Sequence, residues 1–136
     1  MKKGLLVPLV ALISLSNGWS QSKMDWFKDA KLGIFIHWGL YSVDGISESW
    51  AFYNEYLSHE DYMKQLGGFG AEKYDPAHWA NLIAQSGAKY TVITSKHHEG
   101  FALWNSKFGS LNAVKHAKAR KDVLTPFVNA AKDQGL

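Results

Sequence analysis

The sequence has 136 residues, enough for one modest domain, with no cysteine and a formal charge of +3 from 15 basic and 12 acidic residues. The lack of cysteine excludes disulfides and thiolate metal sites. Residues 1–20 hold two lysines and no acid, so the remainder carries 13 basic against 12 acidic side chains, a balance with no nucleic-acid stripe in it.

Lys2 and Lys3 form a basic n-region, Leu5 to Leu15 an apolar h-region, and Gly18-Trp19-Ser20 puts small residues at both cleavage-determining positions. Residues 1–20 are therefore expected to be a secretory signal peptide, cleaved before Gln21. The apolar run is shorter than the about 20 residues of a membrane span, so no stable membrane insertion is expected after cleavage, and a retained N-terminal anchor is the alternative. An exported chain without cysteine fits a bacterial periplasm, or secretion, better than an animal secretory route.

Met24 to Ala30 reads as a short helical or irregular lead-in and Lys31 to Trp38 as the first strand. Gly39 to Glu55 follows as a polar and aromatic loop with a turn signal at Asp44-Gly45. Ser58-His59-Glu60-Asp61 fits a capping box and predicts a short helix through Tyr62, Met63 and Leu66, ended by Gly67-Gly68. Asp75-Pro76 predicts a helix start, with Trp79, Leu82 and Ile83 on one face and Gly87 as the C-terminal cap. Tyr90 to Ser95 is the second strand. Residues 96–119 form a long loop, including a locally basic, solvated run from Lys115 to Lys121. A last helix begins at Asp122 or Thr125, with Phe127, Val128, Ala130 and Ala131 as its apolar positions and Gly135-Leu136 as its cap.

Strand, long insert, helix, strand, long loop, helix: this order makes two βα units of a parallel α/β fold. Two parallel strands cannot bury both faces or close a barrel, which takes on the order of 250 residues. Residues 21–136 are therefore expected to be the N-terminal part of a (β/α)8-like TIM barrel, truncated before the third strand.

Both predicted apolar runs lead into histidine, Leu32 to Ile36 stopping at His37 and Tyr90 to Ser95 stopping at Lys96-His97-His98. In a parallel barrel the C-terminal strand ends form the active-site face. Three histidines at that rim point to a site for a polar ligand, since neutral imidazole both donates and accepts hydrogen bonds. A metal held by His37, His97 and His98 with Glu48 or Glu99 is the alternative. It is disfavoured because adjacent side chains on extended backbone point in opposite directions. Trp38, Trp50 and Trp104 lie in or near the polar loops, where aromatic faces would suit the C–H-rich surface of a sugar; filling a core is the other role for such rings.

Lys31 to Val43 (KLGIFIHWGLYSV), Tyr74-Asp75-Pro76 with Trp79-Ala80, and Gly87 to Lys89 running through Lys96-His97-His98-Glu99-Gly100-Phe101 to Leu103-Trp104 together resemble the α-L-fucosidases of glycoside hydrolase family 29. The resemblance covers nearly all of residues 24–136. It implies a (β/α)8-like barrel followed by a β-sandwich. It also implies release of terminal α-L-fucose from fucosylated glycans with retention, by an aspartate nucleophile and a carboxylic acid/base, without metal or organic cofactor. His37, His97 and His98 match histidines that bind fucose hydroxyls. Glu48 and Trp50 resemble a Glu-Trp pair in the loop after the first strand, except that Ser49 separates them here. Glu99 stands where many relatives carry aspartate and is expected to buttress the loop. Neither catalytic carboxylate matches a residue of this chain, so both are expected beyond Leu136 and the chain alone is expected to be inactive. The alternative is a short, non-catalytic fucose-binding or non-functional product.

Overall fold

A computed structural model describes residues 24–136; the expected signal peptide, residues 1–20, lies outside the described residues. Helix α1 (Asp25–Ala30) leads into strand β1 (Gly33–Ile36). A 3₁₀ turn at Leu40–Ser42 and the short helices α2 (Trp50–Tyr53) and α3 (His59–Met63) occupy the long insert. Helix α4 (Pro76–Gln85), strand β2 (Tyr90–Ile93) and helix α5 (Thr125–Asp133) complete the order. The strands pair in parallel, with Gly33 opposite Tyr90 and Phe35 opposite Val92, so the crossover through α4 is the expected βα connection.

Local chemistry starts the helices where expected. The Ser58 hydroxyl accepts from the Asp61 N–H and caps α3; the Asp75 carboxylate accepts from the His78 N–H and caps α4, with Pro76 behind it. For α5 the carboxylate of Asp122 accepts from the N–H groups of Leu124 and Thr125, and the helix proper begins at Thr125.

Gly33 is required by its cross-strand neighbour. A Cβ there would lie 2.1 Å from the ring of Tyr90, which packs over the glycine and against Trp26 and Phe27.

Two clusters hold the chain together. The smaller joins Ile34, Ile36 and Ile93 of the sheet to Trp79 and Ile83 of α4 and Phe127 of α5. The larger is built from loops: Leu40, Ala51, Tyr62, Phe69, Phe101, Leu103, Ala113, Ala117 and Val123 are all buried together. It orders the segment after β2, where Ala102 bridges to both Lys96 and Asn112 and buried Asn112 accepts from the Lys115 N–H.

Four expectations change. Trp50–Tyr53 is helical inside what reads as loop, because one turn burying only Ala51 has no room to display a helical period. In α4 the buried pair is Ala80 and Ile83, while Leu82 is 50% exposed; its position points away from the sheet. Val128 of α5 turns outward in the same way, leaving Phe127 and Ala131 buried. Trp38 is no loop aromatic: its ring packs on Phe69, Tyr74 and Trp79 at 5.1–5.3 Å, so it fills the core.

Candidate functional site

β1 ends at Ile36, and the next residue projects His37 from the sheet's C-terminal rim; β2 ends at Ile93, and the chain then turns through His97 and His98. Thr94 ties the two strand exits together. Its hydroxyl accepts from the Trp38 N–H at 2.9 Å and donates to the Trp38 carbonyl at 2.8 Å. Such side-chain bonds continue the sheet beyond its last ladder bond and fix where both histidine-bearing segments leave it.

The three imidazoles converge. Ring centroids of His37 and His97 are 5.0 Å apart, and those of His97 and His98 are 4.8 Å apart. The expected opposition of His97 and His98 is corrected by their backbone, which is no longer extended there. The Gly100 N–H donates to the His97 carbonyl at 3.0 Å, closing a turn, and Gly100 takes φ +89°, a left-handed conformation suited to glycine. Tyr41, buried, lays its ring against both His37 (5.1 Å) and His97 (5.8 Å).

Carboxylates sit behind the rings. Glu48 Oε1 lies 3.2 Å from His37 Nδ1. Glu99 Oε2 lies 3.4 Å from His97 Nδ1, and the Ser49 hydroxyl lies 3.3 Å from the same nitrogen. Trp50 is half exposed and meets Tyr53 edge-on. Ser49, Trp50, Phe52, Tyr53 and His98 line an open pocket of about 390 Å³. All five sequence-predicted residues, His37, Glu48, Trp50, His97 and His98, thus belong to one neighbourhood. Among the described residues no group of three or more histidine and carboxylate side chains is arranged to hold a metal ion.

Sequence reasoning missed two members. Ser49, read as an interruption between Glu48 and Trp50, is 6% exposed and reaches His97. Tyr41 had a signal: it follows His37 by four residues, the distance at which a tight turn brings side chains back together.

The Glu99 side chain is 1% exposed, and its carboxylate is poorly satisfied: the contact with His97 Nδ1, at 3.4 Å, is one of charge and distance. Burial pushes its carboxyl above the usual carboxylate range, outweighing the backbone, His97 and His98, which pull it down. Since the folded chain then holds the proton more tightly than the unfolded one, stability is greatest below the unfolded carboxylate value and falls as pH rises through the folded one. A buried neutral amide costs less than a buried carboxylate. Glu99→Gln is therefore expected to melt higher than the parent chain at neutral pH, the gap closing below about pH 4, under the reference glutamate value. Thermal melts of both proteins across that range check this; a gap independent of pH would contradict it.

The arrangement can grip a polyhydroxylated ligand. Imidazole nitrogens match hydroxyls one for one, and Trp50 and Tyr53 offer apolar ring surface beside them. Glu99, sealed under the turn, cannot reach a ligand's reacting atom.

The family model for alpha-L-fucosidase matches residues 14–136. An alpha-L-fucosidase from Branchiostoma floridae is 40% identical over 112 residues, covering 70% of this chain and 25% of that protein. A GH29 alpha-L-fucosidase from Bacteroides thetaiotaomicron, solved as a trapped covalent intermediate with 2-fluoro-fucosyl fluoride, superposes with a TM-score of 0.73 at 33% identity, covering 81% of this chain and 27% of that one. The alpha-fucosidase of Thermotoga maritima in complex with fucose gives a TM-score of 0.69 at 35% identity, covering 82% and 32%. The chain spans about a quarter of the length of the curated relatives it matches.

Proposed function

From the premise that this chain belongs to the α-L-fucosidase family, we propose that it supplies the sugar-holding floor of an exported, retaining α-L-fucosidase that releases terminal α-L-fucose from fucosylated glycans. The observation that carries the reading is the convergence of His37, His97 and His98, backed by Glu48 and flanked by Trp50, at the paired strand ends. In this reading the three imidazoles take the fucose hydroxyls and Trp50 walls the pocket. Residues 24–136 are the first two βα units of a (β/α)8-like barrel whose C-terminal rim is the active-site face. The exported enzyme works in a bacterial periplasm or outside the cell, and residues 1–20 direct it there.

Retention needs two carboxyl groups about 5–5.5 Å apart, both open to the sugar. Glu99 is shut away, and Glu48 faces His37. Nucleophile and acid/base therefore come from the three-quarters of the relatives' length that this chain does not align with. The covalent intermediate trapped in the Bacteroides thetaiotaomicron relative supports retention. The expected result is that a full-length polypeptide carrying this sequence hydrolyses an aryl α-L-fucoside to α-L-fucose as first product, followed by NMR of the anomeric proton, and that residues 1–136 alone give no turnover. An inverted first product, or hydrolysis by residues 1–136 alone, would overturn the assignment.

A further inference from the structure

The buried Glu99 carboxylate is left over by the reading above, which uses it neither for sugar nor for chemistry. It is 1% exposed, and neither oxygen has a hydrogen bond. A buried carboxylate without full hydrogen bonding is costly and calls for an explanation. Its charged partner is His97 Nδ1, 3.4 Å from Oε2, and the same nitrogen also has buried Ser49 Oγ at 3.3 Å. The other polar groups acting on it are its own backbone and His98, and its charge opposes ionisation of the Tyr41 and Tyr62 phenols.

We propose that Glu99 is a positioning residue that fixes the tautomer of His97, its carboxylate charge holding the ring proton on Nδ1 so that the Nε2 lone pair is presented to the ligand as an acceptor. Two features of the geometry support this. Both groups at Nδ1 are buried, so Nε2 is the edge of this ring left for a ligand, and the side chain as a whole is 17% exposed. The turn closed by the Gly100 N–H on the His97 carbonyl carries Glu99 as an interior residue, which folds its side chain back beneath the ring two positions earlier. An imidazole is a donor at one nitrogen and an acceptor at the other, and the partner of one nitrogen decides the role of the second. A carboxylate at Nδ1 accepts only, so it makes Nε2 an acceptor for a sugar O–H. The His37 and His98 rings lie 5.0 and 4.8 Å from that of His97, so one ligand can meet all three imidazoles. A raised carboxyl pKa is the expected cost of placing this acceptor under the site, a local loss of stability held for function.

The inference rests on the sugar-binding reading for its consequence, but its geometry is tested without any sugar. In the full chain, labelled with 15N at histidine, His97 is expected to carry its proton on Nδ1 at a pH where the ring is neutral, read from the long-range 1H–15N correlations. Glu99→Asp keeps that tautomer. Glu99→Met, similar in volume and unable to accept, loses it and weakens binding of L-fucose by about tenfold in titration calorimetry, the loss of one well-placed hydrogen bond. A parent His97 protonated on Nε2 overturns the proposal, and needs no variant to fold. So does a tautomer unchanged in Glu99→Met. If the tautomers behave as stated and the parent protein binds no L-fucose, the positioning role stands and the sugar reading alone fails.

Discussion

Replacing Phe101 with alanine should cost about 3–5 kcal/mol of folding stability, the range for emptying a buried phenyl site. Phe101 is 1% exposed and belongs to the loop-built cluster with Leu40, Leu103 and Val123. Its ring meets Phe69 edge-on at 5.2 Å. It also directly follows Gly100, which closes the His97 turn, and precedes Ala102, which bridges to Lys96 and Asn112. One side chain therefore anchors the segment that presents His97 and His98. With net stabilities of about 5–15 kcal/mol for whole domains, the loss is a large share of the total. Urea unfolding should show a lower midpoint at an unchanged slope, because surface exposed on unfolding barely changes. Phe101→Leu, which keeps most of the apolar volume, should recover most of the loss. A deficit below about 1 kcal/mol in Phe101→Ala would mean that the surrounding loops collapse onto the gap, and that this ring is not what holds the site segment.

How far the sequence could be read follows from how local each feature is. Asp75-Pro76 and Ser58-x-x-Asp61 mark their helices because an N-cap is made by residues three apart, and the structure has both bonds. The strands were legible as short apolar runs, β1 ending one residue before His37 and β2 at Ile93, and their parallel pairing follows from the helix between them. The larger core was not legible. It joins Leu40, Tyr62, Phe101 and Val123, which lie in segments with no common period, and only the folded chain brings them together. Leu82 shows the limit of a helical wheel, which ranks apolar residues without knowing how narrow the buried stripe is. The expected opposition of His97 and His98 failed for a sharper reason. The alternation rule holds for extended backbone, and a turn begins at His97 itself. Gly100 was the available signal, since a glycine three residues after His97 permits the positive φ that ends the turn.

His98→Ala should separate binding from folding in the opposite sense to Phe101→Ala. His98 is exposed and lines the pocket with Ser49, Trp50, Phe52 and Tyr53. Its ring meets that of His97 edge-on at 4.8 Å. Truncating it removes little buried apolar area, so the melting midpoint should stay within the small range of ordinary surface substitutions. The ligand loses more. A sugar hydroxyl drawn from water into this pocket needs a partner, and leaving it unpaired costs about 1–3 kcal/mol. That corresponds to roughly 5- to 150-fold weaker binding of L-fucose in the full chain, measured by titration calorimetry beside a thermal melt. An unchanged affinity would remove His98 from the sugar site and leave His37 and His97 to hold it. A fall in both affinity and melting midpoint would instead mean that the His98 ring props up His97, so that the two histidines act as one packed unit and cannot be assigned separate hydroxyls.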